Sequence, residues 1–254
     1  MDVRRITFLK VPIDIVKPED LPSVIYQLLA YAKSSEDFRS AKGQNIVLLS
    51  LSDLLRARRK GAYRDYVYNA ALVIPISKSI VSGVKFLTGQ KVYRYMPFHF
   101  VVSLLSILEK REHSLYLLGG KSQILKRVGK NINTTFPRLK VVGRHEGSMR
   151  KSEEATVIEA IRKASPDLLL TGKGVRRREL WIARNCTSIN SGFRLWCSDL
   201  FDVFADKKRR PSDAIFDKGL ESIVFCMRNP FRLFRVFPYF RYKLLLLVYK
   251  IFAQ

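Results

Sequence analysis

Two short glycine turns carry the first chemistry that can be read from this chain. Gly119-Gly120 closes the apolar run Ser114–Leu118, and Gly172-Lys173-Gly174 closes another, Asp167–Thr171, just before Arg176, Arg177 and Arg178. Glycine lets a backbone approach a phosphate or sugar closely, and the arginines add cations suited to the same anion. Neither turn is a P-loop or a complete G-x-G-x-x-G, so each alone reads equally well as a tight structural turn. The three histidines, His99, His113 and His145, lie far apart, and Cys186, Cys197 and Cys226 have no C-x-x-C spacing. No metal site is therefore expected. Cys197, beside Trp196 in the apolar run Phe193–Cys197, reads as a buried small hydrophobe rather than a nucleophile.

These residues need elements to position them. Apolar runs at Ile6–Val11, Asn45–Leu51, Ala71–Ile76, Ser114–Leu118, Leu139–Val142 and Asp167–Thr171 read as strands. Between them lie helical patterns: Leu21, Ile25, Leu28 and Leu29 behind Pro18-Glu19-Asp20; Leu54 to Ala57, with Ser52 and Asp53 as candidate caps; then Ile80–Leu87, Phe100–Leu108, Ser122–Ile132 and Glu153–Ala164. Strand alternating with helix at this spacing predicts an α/β fold with a parallel sheet covered by helices on both faces. Ligands of such sheets sit beyond the carboxyl ends of the strands, where both glycine turns fall.

Composition narrows the partners. The chain has 254 residues, 46 Lys+Arg against 22 Asp+Glu, and a net charge of +24. Such an excess must face something anionic. From Ser222 onward there is no Asp or Glu, while Arg228, Arg232, Arg235, Arg241, Lys243 and Lys250 interleave with Phe225, Phe231, Phe234, Phe237, Phe240 and Phe252. Cations alternating with bulky apolar groups describe a segment lying in an anionic membrane surface, or a helix pair packed on the domain with a solvated basic face. Nucleic acid is not expected: there are no RNP-type aromatics, zinc finger or recognition helix. No apolar run approaches the roughly 18 residues of a spanning helix. The N-terminus lacks an export signal's apolar region, and three cysteines make no disulfide framework, so a reducing compartment is the default expectation.

Four co-linear stretches carry a resemblance. SLYLLGG (Ser114–Gly120), FPRLKVVGRHEG (Phe136–Gly147) and SPDLLLTGKGVRRRELWIAR (Ser165–Arg184) are followed by Phe201-Asp202, Ala205, Arg209 and Arg210. Gly219-Leu220-Glu221 then precedes Arg228, Pro230, Arg232 and Arg235. In this order they resemble the WecG/TagA/CpsF family of bacterial glycosyltransferases. The resemblance implies a Rossmann-like α/β catalytic-type domain, residues 1–206, and a C-terminal helical membrane-docking appendage, residues 207–254. It implies a peripheral enzyme on the cytoplasmic face of the bacterial membrane. Such an enzyme makes an inverting, metal-independent transfer from a UDP-sugar to an isoprenoid-linked acceptor, as in cell-surface polysaccharide or glycolipid synthesis, with no cofactor. Arg210, Arg228, Arg232 and Arg235 are then candidates for holding the departing diphosphate, with Arg94 matching another family arginine.

The departures fall on the chemistry. The family's strand-end P-D-G, which supplies its proposed base, reads Pro75-Ile76-Ser77 here, and Ile76 takes no proton. The family's T-x-N strand end appears as Leu49-Ser50-Leu51, and its Q-E pair as Arg178-Glu179. His99, standing where the family has Asp, and the matched carboxylates Glu179 and Asp202 are the replacement candidates. Alternatively, transfer is lost and the chain is a membrane-associated nucleotide-sugar-binding or scaffolding subunit beside an active transferase. Apolar helices such as Ile80–Leu87 also leave room for a homo-oligomer face.

Overall fold

The computed structural model describes residues 3–34, 45–219 and 237–252. The chain starts with a hairpin, β1 (Arg4–Phe8) and β2 (Val11–Ile15), followed by α1 (Leu21–Ser34). The sequence pattern predicts one strand over Ile6–Val11; instead the chain reverses inside it. Leu9 and Lys10 take φ of 48° and 65° and join the antiparallel pair Phe8↔Val11. Two-residue hairpin turns need such left-handed backbone, and no glycine advertises this one. Asp14 locks the hairpin to the core: it takes two hydrogen bonds from Arg5, at 2.7 and 2.8 Å, and one from the Val73 amide at 2.6 Å.

The main sheet is built from β3 (Asn45–Leu49), β4 (Leu72–Pro75), β5 (Ser114–Leu118), β6 (Lys140–His145), β7 (Leu168–Thr171) and β8 (Phe193–Trp196). Its order is β4-β3-β8-β7-β5-β6, and every pairing is parallel. The expected parallel α/β architecture is present. The intervening helices are α2 (Leu51–Ala57), α3 (Ala62–Tyr68), α4 (Lys78–Thr88), α5 (Pro97–Glu109), α6 (Ser122–Thr135), α7 (Glu154–Ala164) and α8 (Glu179–Asn185). After β8 come α9 (Leu200–Phe204), α10 (Asp213–Lys218) and α11 (Phe237–Phe252). The short α3 was not anticipated; it follows α2 through Gly61 and buries Tyr63, Tyr66 and Val67.

Side chains alternate across the strands and sort into two apolar layers. Ile46, Leu72, Leu117, Leu170 and Leu195 face α1, α5, α6 and α9; Val47, Val73, Leu118 and Leu169 face the hairpin, α2, α3, α4, α7, α8 and α11. Both faces are covered, so the strands read as near-continuous apolar runs. The neighbouring strands β3 and β8 thus send their following helices, α2 and α9, to opposite faces. They also pair only at Asn45↔Arg194 and Ile46↔Leu195, whereas β3 and β4 pair along their length to Leu49↔Pro75. The sheet opens between β3 and β8 at their carboxyl ends, the place where open α/β sheets bind ligands.

The C-terminal helix closes one face. Tyr242 and Leu246 of α11 are buried, and the Tyr242 hydroxyl donates to the Ser79 carbonyl of α4. The opposite side presents Phe240, 68% exposed, and Ile251, 69% exposed, with Phe237, Leu244 and Leu247. Among the described residues no helix is long and apolar enough to cross a membrane.

Candidate functional site

A cavity of about 530 Å³ fills the gap between β3 and β8. Its floor is the divergence itself, Val47 and Leu48 facing Trp196 and Cys197, and its walls come from the loops and helices that follow. On the α2 side, Ser50 ends the strand extension and caps the helix. Its hydroxyl accepts from the Asp53 amide at 3.3 Å, and Asp53 accepts in return from the Ser50 amide at 3.3 Å and the Ser50 hydroxyl at 2.5 Å. This reciprocal box makes Ser50 the cap, rather than Ser52 or Asp53, and aims the Asp53 carboxylate along the cavity wall.

Asp53 does not stand alone. Glu179, the first residue of α8, is 5% exposed and reaches the same wall. Arg56, one turn after Asp53, donates to Oε1 of Glu179 and stacks 3.9 Å over the Tyr63 ring. Oε2 of Glu179 lies 3.7 Å from Arg178 Nε and has no hydrogen-bond partner among the described residues. Burial pushes the Asp53 carboxyl above its ordinary range; bonds from Ser50 and Tyr63 oppose that shift, and the charge of Glu179 reinforces it. Beneath them Arg194, fully buried, donates to the Cys186 carbonyl at 2.9 Å, and burial lowers its pKa to about 10.

The lining also carries cations. Lys208, Arg209 and Arg210 follow α9 and line the cavity with Arg178. Lys208 is paired with Asp199, while Arg178 lies 5.9 Å over Trp196 and Arg210 5.3 Å over Phe98. One cavity is thus lined by both fixed carboxylates and arginine forks, which suit phosphate oxygens.

The family model for "Glycosyl transferase WecG/TagA/CpsF family" matches residues 6–254. The chain belongs to this family. A Bacillus subtilis (strain 168) relative, an N-acetylglucosaminyldiphosphoundecaprenol N-acetyl-beta-D-mannosaminyltransferase, is 22% identical over 185 residues, 73% of this chain and 72% of its own length. A protein of the same name from Staphylococcus aureus (strain MW2) is 21% identical over 185 residues, 72% of each chain.

Against this WecG/TagA/CpsF background the candidate residues separate. Of the three candidate bases, Glu179 alone lines the cavity. His99 lies outside it, with its Nε2 accepting from Arg210 and its ring 3.7 Å from Asp213. Asp202 uses its carbonyl to accept from the Lys207 and Lys208 amides, at 2.9 and 3.0 Å, and turns the chain rather than facing the cavity. Ile76, where the resemblance places the family's P-D-G carboxylate, does line the cavity.

Arg94 also stands outside. It donates to the Ile76 carbonyl at 3.0 Å and stacks 3.6 Å over Phe216, clasping α10 to the end of β4. Arg178 and Arg210 line the cavity; Arg228, Arg232 and Arg235 lie outside the described residues.

The glycine turns are bonded to neighbouring loops. Gly119 donates to His145 at 2.9 Å, Gly120 to Lys173 at 2.5 Å and Gly172 to Leu118 at 2.8 Å, so these amides are spent between loops. Gly174, with φ of 99°, packs on Gly147, and none of the four lines the cavity. These contacts fasten strand ends together. Cys197 is buried, as expected, with its thiol donating to the Thr171 carbonyl at 3.2 Å; burial pushes the thiol pKa up. Among the described residues no group of three or more His, Cys, Asp or Glu could hold a metal ion.

Sequence reasoning missed the working wall. Asp53 was read as a cap alone, and Arg56, Tyr63 and Lys208 were not singled out. The signal that was there is Ser50-x-x-Asp53 directly after an apolar strand, with Arg56 three residues on and so on the same helix face.

Proposed function

We propose that this chain transfers a sugar from a UDP-sugar to a lipid-linked sugar diphosphate while resting on the cytoplasmic face of a bacterial membrane. The observation that carries the reading is the single cavity lined by Glu179 and Asp53 together with Arg178, Lys208, Arg209 and Arg210. Transfer to a hydroxyl needs a carboxylate to take its proton, and a departing nucleoside diphosphate needs fixed positive charge. Family membership supports the reaction class, and the names of the two relatives support an acceptor carried on a polyprenyl diphosphate. With the leaving group's charge met by side chains, the reaction needs no metal, and a chelator is expected to leave its rate unchanged.

The membrane arm of the proposal rests on α11. Its buried seam holds the helix to α4, so Phe237, Phe240, Leu244, Leu247 and Ile251 are left outward beside Arg241, Lys243 and Lys250. Each large apolar side chain moved out of water contributes about 1.5–3 kcal/mol, so a few suffice for reversible attachment. Phe240→Glu with Leu244→Glu is expected to abolish co-sedimentation with anionic vesicles and leave the melting temperature unchanged.

The activity is tested with purified protein, a panel of UDP-sugars and a short-chain polyprenyl diphosphate sugar, by following acceptor-dependent UDP release. No turnover together with no UDP binding by calorimetry overturns the proposal. A second reading, a nucleotide-sugar-binding subunit without turnover, is favoured by Ile76 in the cavity wall. It predicts UDP-sugar binding without transfer, and turnover gained on Ile76→Asp.

A further inference from the structure

We infer that Glu179 is the base of the transfer reaction, receiving the acceptor's proton on Oε2, with Arg56 as the residue that positions it. The inference rests on the transfer reading above. Among the described residues, three carboxylates line the cavity: Asp53, Glu179 and Asp199. Asp199 is neutralised by Lys208, and Asp53 is engaged by the Ser50 hydroxyl at 2.5 Å and by Tyr63. Glu179 differs from both. It is 5% exposed, one oxygen is held by Arg56, and the other has no hydrogen-bond partner among the described residues. A buried carboxylate oxygen left open is costly unless something occupies it during function.

The surroundings hold that oxygen still. Arg56 is fixed against the Tyr63 ring 3.9 Å away, and Arg178 stands 3.7 Å from Oε2. Helix α8 begins at Glu179, so its position is set by backbone rather than by a flexible loop. In the step, the acceptor O–H bond breaks and its proton goes to Oε2. The acceptor oxygen bonds to the anomeric carbon, and the carbon–oxygen bond to the diphosphate breaks with its electron pair leaving on UDP. Arg178 and the Lys208–Arg210 wall meet that charge. Glu179 returns the proton to water after the product leaves.

Glu179→Gln keeps the side-chain volume and an acceptor for Arg56. It is expected to lower kcat about 10²–10⁴-fold, with UDP binding by calorimetry little changed. Glu179→Ala in formate, whose anion fits the vacated space, is expected to recover part of the rate, which a merely structural role would not allow. Arg56→Lys, retaining charge without the fork, is expected to lower kcat more than it raises KM. Wild-type transfer with an equally active Glu179→Gln overturns the inference alone. So does loss of UDP binding and transfer together in Glu179→Gln, without formate rescue of Glu179→Ala. A wild-type protein without acceptor-dependent UDP release overturns the transfer reading and this inference with it.

Discussion

The two halves of the parallel sheet treat their polar groups in opposite ways. In the β7-β5-β6 half, loop amides are consumed by neighbouring loops: Gly119 to His145, Gly120 to Lys173, Gly172 to Leu118 and Lys173 to Ser198. At its other end Asp167 accepts from the Ser114 amide and hydroxyl, both at 2.9 Å, with His113 Nδ1 3.1 Å away. In the β4-β3-β8 half β3 and β8 part, a cavity of about 530 Å³ opens, and a buried carboxylate oxygen of Glu179 goes without a hydrogen bond among the described residues. A half saturated by its own bonds serves as scaffold; binding and chemistry need groups left unspent. Conserving folding energy and keeping a reactive site are competing demands, and this fold assigns them to different strands.

The largest effect should come from breaking the closed half. Gly119 takes φ of 134°, and a Cβ there would sit 2.7 Å from the Gly172 amide nitrogen. Strain and overlap together should make Gly119→Val cost about 3–6 kcal/mol, a large share of a typical domain's stability. Urea denaturation measures it. A Gly119→Val protein as stable as wild type would mean that the two loops are not fastened as described.

Asp167 gives the next effect. Burial pushes its carboxyl upward, but bonds and charge from His113 and bonds from Ser114 outweigh that and hold it well below the usual carboxylate range. A depressed folded-state pKa contributes stability above the unfolded value, near 4, that is lost as pH falls toward the folded value. Asp167→Asn should therefore destabilise by about 1–3 kcal/mol at pH 7, with the gap closing below about pH 4. Chemical denaturation at several pH values follows it, and a gap independent of pH would break the assignment.

How much of this was legible in the residues follows the same division. The apolar runs Asn45–Leu49, Leu72–Pro75 and Ser114–Leu118 are buried on both faces, so composition alone betrays them. The β1–β2 turn was hidden because Leu9 and Lys10 take left-handed backbone without glycine or asparagine. Glycines at strand ends were conspicuous, yet Gly119 and Gly172 are small because backbone and Phe201 press against them, a packing fact that spacing does not reveal. Glu179 was reached through resemblance. Its partners Asp53, Arg56 and Tyr63 come from over a hundred residues earlier in the chain, and only the strand order brings β3 beside β8 and folds α2 toward α8. Local pattern names the elements; the open site is made by a crossover that local pattern cannot see.

The smallest effect has the opposite sign and sharpens the contrast most. Asp53 also belongs to a hydrogen-bonded pair, with Ser50, but burial and the nearby Glu179 charge leave its pKa raised rather than lowered. A raised folded-state pKa means that the ionised form is disfavoured in the fold, so stability falls as pH rises through that pKa. Asn at this position keeps an oxygen for the Ser50 amide and cannot ionise. Asp53→Asn should therefore lie within about 1 kcal/mol of wild type, gaining relative to it as pH rises above about 4. Asp167→Asn loses relative to wild type over the same interval. Measured side by side, the two pH slopes should have opposite signs, because one carboxylate stabilises the sheet and the other is retained at some expense to it. Equal signs would place Asp53 with the scaffold and remove it from the working half.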